Sequence, residues 1–211
     1  MNEHVQWYQR KAQERTAEAL RSKGFEVYLA ANRDEARKIV ETLIKPGDKV
    51  GWGGSATLAE IGIFSRLTEL GAEPMIPIGN ISPAELGEHR RQALHADVYL
   101  TGCNAVSETG ELVNIDGTGN RVASMCFGPR AVIMVIGRNK ICPDIAAAIE
   151  RAHSVAAPIN AHRLGLKVPC AETGECGGCE DTGICNITLI MHRKPGKKPF
   201  HVVIVDEDLG F

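Results

Sequence analysis

Apolar residues recur along the first half of the chain in spacings that alternate between helix and strand. Residues 3–22 place Val5, Tyr8, Ala12, Ala19 and Leu20 on one helical face, and Gly24 follows as a C-terminal stop. Residues 25–29 have strand length. Asn32, with Glu35 three positions later, forms a capping-box pattern ahead of the stripe Ala36, Ile39, Val40, Leu43 and Ile44, which Pro46-Gly47-Asp48 ends. A strand over 49–52 runs through Gly53-Gly54-Ser55 into an apolar helix (Leu58, Ile61, Ile63, Phe64, Leu67) that the pattern carries to Gly71. Residues 75–78 read as the next strand, and Ser82-Pro83 with Glu85 opens a helix that reaches His95.

The stretch 97–140 reads as strand, polar loop, helix, strand, and the rest of the chain is organised around it. The apolar runs 98–100 and 131–136 bracket Asn104, Glu108, Glu111, Asn114, Asp116, Asn120 and Arg121, crowded among Gly102, Gly110, Gly117 and Gly119. A loop that only turned would need two or three of these. The glycines let the backbone approach a ligand closely while carboxylates and amides converge on it. The alternative is a long hairpin with a solvated tip. Pro143 then opens an alanine-rich helix (Ile145, Ala146, Ile149), a helical segment over 157–164 follows, and 170–185 breaks all periodicity. Two β-like runs, 186–191 and 200–205, are separated by RKPGKKP and read as a terminal hairpin. The alternation predicts an α/β domain with a mainly parallel sheet flanked by helices, and no internal repeat is visible.

Composition narrows the partners. At 211 residues and 44% hydrophobic content the chain can bury a proper core. A net charge of -2 carries no electrostatic footprint for nucleic acid, and Arg193, Lys194, Lys197 and Lys198 fit a solvated turn. The N-terminal residues are polar, and no run approaches the ~18 apolar residues a bilayer span needs. The expectation is a cytoplasmic protein with no membrane partner. Seven cysteines in such a chain point to metal or redox chemistry before structural disulfides.

Two segments carry chemistry. Residues 49–57 pass from a strand through glycines to a helix start, exposing backbone N–H groups beside the Ser55 and Thr57 hydroxyls, an arrangement that suits a phosphate or carboxylate. It is neither a P-loop nor a dinucleotide fingerprint, and a tight turn with packing glycines is the plain alternative. Cys170, Cys176, Cys179 and Cys185 are spaced C-x5-C-x2-C-x5-C among Gly174, Gly177, Gly178 and Gly183, so four thiols can fold around one centre. Zinc ribbons present two C-x2-C knuckles and this loop has one, which favours an iron–sulfur cluster over zinc, with disulfides as the remaining alternative. Cys126 and Cys142 are expected to be buried, while Cys103 sits in the polar loop as a reactive candidate.

The run TGCNAVSETGELVNIDGTGNRVASMCFGP, preceded by GGSATLAEIG and followed by APINAHRLG and the four-cysteine segment, resembles the lactate-utilisation (LUD) domain family in its stand-alone, cysteine-bearing form. The resemblance covers nearly the whole chain: one domain over 1–211, with a metal loop at 170–185 and a terminal hairpin in 186–211. That family resembles the ribose-5-phosphate isomerase, sugar-phosphate deaminase and CoA-transferase fold. The resemblance implies a ligand between Gly53, Gly54, Ser55, Thr57 and the loop from Gly102 to Arg121, where Gly117, Thr118, Gly119, Asn120 and Arg121 are the binding candidates.

Asn104 stands where isomerases of this fold carry Asp, and no lysine lies between Asp97 and Lys140, so the same acid–base pair is not expected to operate here. Glu108 and Glu111 are the alternative acid–base or nucleophilic groups, with Asn104 beside them. Asn160 and Arg163, flanked by His153 and His162, add an anion clamp if that segment folds back over the glycine turn. The functional expectation is a redox protein of organic-acid metabolism: a 4Fe-4S cluster, a small anionic metabolite, a redox partner protein and an oxidoreductase role toward a 2-hydroxy acid. A homo-oligomer is compatible with it. The alternatives are an acyl- or sugar-phosphate-type enzyme with structural Zn, and a non-catalytic redox or ligand sensor.

Overall fold

The computed structural model describes residues 2–77, 81–179 and 183–211. Its larger sheet consists of β1 (Glu26–Ala30), β2 (Lys49–Trp52), β3 (Glu73–Pro74), β4 (Val98–Gly102), β7 (Ala131–Gly137) and β10 (Phe200–Val205), all parallel, in the order β1-β10-β7-β4-β2-β3. The central strands are buried along nearly all their length, which is why β7 and, apart from the half-buried His201, β10 read as apolar runs rather than alternating ones. Helices α1 (Glu3–Ser22), α2 (Arg33–Thr42), α3 (Ala56–Glu60) and α4 (Pro83–Gln92) connect or flank these strands. Asn32 caps α2 by accepting the Glu35 N–H, and Ser82 with Glu85 forms a complete capping box on α4.

A smaller mixed sheet, which the pattern did not suggest, is laid down by β5 (Ala105–Ser107), β6 (Leu112–Asp116), β8 (Ile141–Cys142) and β9 (Ile187–Met191), in the order β8-β5-β6-β9. The polar loop of the central stretch therefore contains a hairpin, but a buried one. Gly110 at its turn (φ +89°) packs so closely on α1 that a Cβ there would lie 2.9 Å from the Ala19 carbonyl carbon. Helix α5 (Asn120–Cys126) leads from β6 to β7. Helix α6 (Ile145–Arg151) runs through a π-helical turn into α7 (Ala157–Arg163), and α8 (Pro169–Thr173) precedes β9.

Several expectations are corrected. The terminal strands form no hairpin: β9 pairs antiparallel with β6 in the small sheet, whereas β10 enters the large sheet between β1 and β7, parallel to both. A strand as apolar as β10, polar only at His201, gains most where both its faces are covered, as in the interior of the large sheet. The apolar helix after Ser55 is one short α-turn, because Gly62 (φ +71°) ends it, although Leu58, Ile61, Ile63 and Leu67 are all buried. The strand placed at 75–78 is instead the edge pair Glu73–Pro74, and Ile78 lies outside the described residues. In α1 the buried positions are Ala12, Gln13, Thr16, Ala17 and Leu20, while Val5 and Tyr8 are exposed, because only the later turns reach the sheet. Among the described residues no helix is long and apolar enough to cross a membrane.

Candidate functional site

Strands β2 and β4 are neighbours, with Trp52 beside Leu100, so the turns that leave their carboxyl ends share one side of the sheet. There they enclose a cavity of about 390 Å³. Two glycines make the close fit. A Cβ on Gly53 would come within 3.0 Å of the Arg121 side chain, and one on Gly102 within 2.9 Å of Ser55 Oγ. Ser55 caps α3, accepting the Leu58 N–H at 3.2 Å. Residues 156–164 fold back over this turn: the nearest atom to a Cβ on Gly54 would be an Arg163 guanidinium nitrogen at 3.8 Å. Arg163 is held by Asn160 Oδ1 at 2.7 Å and lies 5.9 Å from the Phe211 ring centroid. Of the binding candidates, Gly54, Ser55, Thr57, Gly117, Thr118, Asn120, Arg121, Asn160 and Arg163 line the cavity together with Asn104. Gly53 supports it from behind, and Gly119 lines a neighbouring recess formed with α4.

Arg121, at the start of α5, is the hub. Its guanidinium donates to Asn114 Oδ1 (2.8 Å), Asn104 Oδ1 (2.9 Å) and the Ile115 carbonyl (2.6 Å). Asn104 therefore serves as an acceptor that fixes an arginine, and its Oδ1 also accepts the Ile115 N–H at 2.9 Å. The one acid lining the cavity among the described residues is Asp116, and its carboxylate is already occupied. It accepts the backbone N–H groups of Thr118, Gly119, Arg121 and Val122 at 3.1–3.2 Å. Against this stand Arg90, Arg121, Lys140 and Arg163, so the cavity is strongly cationic.

Lys140 was not among the residues singled out from the sequence. It follows β7, is 2% exposed, and donates from Nζ to Thr57 Oγ1 at 2.7 Å. Burial brings its pKa down to about 8. In the sequence Lys140 stands between the apolar run 131–136 and Pro143, where nothing local marks it as buried, although a lysine is rarely buried without cause. Cys103 lies nearby, also buried, with its thiol donating to the Ala105 carbonyl at 2.9 Å. Burial pushes that thiol up, away from the reactive thiolate. Cys142 is buried as expected, whereas Cys126 is exposed.

Glu108 and Glu111 do not face the cavity. They sit at the tip of the β5–β6 hairpin, where Arg15 of α1 donates to Glu108 at 2.7 Å and Lys23, the residue that caps the C-terminal end of α1, pairs with Glu111. Burial pushes the Glu111 carboxyl up, but hydrogen bonds from Lys23, Ser107 and Thr109 outweigh it and hold it at about 2. The antiparallel strands carry this turn away from the glycine loop, so the expected convergence of these glutamates with Ser55 and Arg121 is not what the fold produces.

The cysteine loop borders the same cavity. Ile184 lines it, Asn186 donates to the Gly117 carbonyl at 2.9 Å, and Cys170 packs with Ala161 and Val168 against α7. His162 bonds the Ala171 carbonyl at 3.1 Å, tying α7 to α8, and neither it nor His153 lines the cavity. Cys170 and Cys185 are pushed up by burial and then by the charges of the other loop cysteines, so the thiols are electrostatic neighbours. A four-sulfur donor set fits a cluster or a zinc ion chemically. Among the described residues no three such ligands are gathered at ligand spacing; Cys176 and Cys179 are exposed, and Gly177 and Gly178 between them have open space around them.

The LUD domain model matches residues 13–205. Lactate utilization protein B from Exiguobacterium sp. is 39% identical over 74 residues, a match covering 31% of this chain and only 15% of that protein. Among solved structures, a DUF162 family protein from Deinococcus radiodurans superimposes with a TM-score of 0.54 at 14% identity, covering 93% of this chain and 98% of that one. A malonate decarboxylase alpha subunit from Acinetobacter baumannii gives a TM-score of 0.44 at 12% identity, covering 96% of this chain and 38% of that one.

Proposed function

The chain belongs to the LUD domain family, and on that footing we propose that it binds a small 2-hydroxy or 2-oxo carboxylate in the cationic cavity and carries an iron–sulfur cluster on the adjoining cysteine loop, as a redox component of organic-acid metabolism. The observation that carries the ligand class is the charge balance: Arg90, Arg121, Lys140 and Arg163 face a space whose sole acid, Asp116 among the described residues, is already saturated by four backbone donors. An entering carboxylate supplies the missing counter-charge. The partial similarity to lactate utilization protein B supports lactate or its oxidised product as the first ligands to try.

We read the architecture as the ribose-5-phosphate isomerase and CoA-transferase type, a reading supported by the glycine turn and cavity at the carboxyl ends of β2 and β4. Cys170, Cys176, Cys179 and Cys185 would hold the cluster. When bound, it supplies one-electron transfer beside the ligand site. The chain's own residues do the rest: Arg163 and Arg121 orient the carboxylate, the Asn160 and Asn104 amides hold those arginines in place, and Ile184 joins the cavity wall to the loop. The test is anaerobic purification with iron, sulfide and zinc analysis alongside the visible spectrum. Iron and sulfide with broad absorption, lost in the Cys176→Ser/Cys179→Ser variant, is the expected result. One zinc per chain and no iron would leave a structural site and remove the redox role.

A further inference from the structure

We propose that Lys140 is a carbonyl-capturing amine that forms an imine with small 2-oxo acids while the neighbouring arginines hold their carboxylate. The proposal rests on the organic-anion reading of the cavity and narrows it to carbonyl-bearing ligands. Its geometry is unusual for a lysine with only a structural task. The residue is 2% exposed yet lines the cavity, and among the described residues its ammonium has a hydroxyl for a partner and no carboxylate. A buried lysine that merely stabilised the fold would be expected to sit on an acid. Here the chain even closes over it: Gly210 (φ +56°) approaches so closely that a Cβ would lie 3.2 Å from Nζ and 2.5 Å from Thr57 Oγ1.

The groups that face Lys140 come from four elements: Cys103 after β4, Glu60 of α3, Arg121 of α5 and Arg151 of α6. Burial is the main force that lowers its pKa, to about 8; Cys103 and Glu60 oppose the shift, and Arg151 and Arg121 add to it. A sizeable fraction is thus a neutral amine at mildly alkaline pH, the form a nucleophile requires. In the step itself the Nζ lone pair forms a bond to the ligand's C2, and the carbonyl π pair moves to oxygen. The two amine hydrogens pass to that oxygen, which leaves as water as the C=N bond closes. No oxidant or reductant is consumed. Thr57 Oγ1, 2.7 Å from Nζ, is placed to relay the proton.

The test is reductive trapping. The whole protein is incubated with pyruvate and cyanoborohydride across a pH series, digested, and mapped by mass spectrometry, while a parallel calorimetric titration follows pyruvate binding without reductant. The expected result is a reduced pyruvyl adduct on Lys140, half-maximal in initial rate near pH 8, whereas exposed lysines label appreciably only toward the ordinary lysine range. Thr57→Val should slow the Lys140 adduct several-fold and leave surface labelling unchanged. If calorimetry registers binding and Lys140 stays unmodified, the imine is overturned and the anion site stands. If labelling is spread over surface lysines and spares Lys140, the imine is likewise overturned. If pyruvate neither binds nor labels, the imine falls together with the 2-oxo half of the anion reading.

Discussion

The two ends of the β5–β6 hairpin carry polar residues at similar density and put them to opposite use. At the tip, Glu108 and Glu111 meet Arg15 and Lys23, so every charge has a counter-charge and the hairpin is fastened to α1. At the base, Asn104 and Arg121 stand with Asp116 beside a cavity that also holds Arg90, Lys140 and Arg163, and the one carboxylate lining it among the described residues is taken up by four backbone N–H groups and lies 3.9 Å from the Arg121 guanidinium. The lesson is that polar crowding does not by itself mark a site. Unbalanced charge next to open space does, because a buried cation without an acid costs stability that a ligand can return.

The sharpest way to break this contrast is to remove the hub. Arg121→Met should abolish anion binding and lower stability by about 3 kcal/mol, since it strips the partner from the Asn104 and Asn114 acceptors and the Ile115 carbonyl. Calorimetry and urea unfolding read the two effects separately. At the tip the effects should come apart. Glu111→Ala, which removes the carboxylate that accepts from Lys23, Ser107 and Thr109, is expected to cost about 2 kcal/mol of stability, typical of charge-assisted hydrogen bonds, with ligand affinity unchanged.

That carboxyl also has a pH signature. Its folded pKa, about 2, lies below its ordinary value of 4.5, so its contribution is complete above 4.5 and is lost as pH falls toward 2. Denaturation midpoints followed through that window should fall less steeply in Glu111→Gln than in the unaltered chain. Equal slopes would place the charge of Glu111 outside the stability of the tip. The smallest effect belongs to the cavity rim: Arg163→Ala, at an exposed residue, should weaken anion binding about tenfold, roughly 1.4 kcal/mol, and leave the melting temperature in place.

Much of the fold was legible because helical stripes and short apolar runs alternate regularly, and capping residues such as Asn32 and Ser82 stand where the helices begin. The glycine turn was legible for the same local reason. What could not be read locally was pairing at a distance. The cations that occupy Glu108 and Glu111 lie 93 and 88 positions away in the chain, so nothing near the glutamates distinguishes them from catalytic acids. The separation of β9 from β10 was missed likewise, since an apolar run does not say which sheet will bury it. Lys140 closes the stretch 97–140 well past its glycine-flanked polar residues, and only the fold brings it to Thr57, 83 positions earlier.

If the cavity recognises a carboxylate through unbalanced positive charge, removing the charge from the ligand must remove binding. The most direct test is a calorimetric titration of the full chain with lactate and with lactamide, which keeps the hydroxyl and size but not the charge, at low and raised salt. Lactate should bind saturably, more weakly as ionic strength rises and not at all in Arg121→Met, and lactamide should not bind. Equal affinity for the amide, or lactate binding that survives loss of Arg121, would contradict recognition by charge.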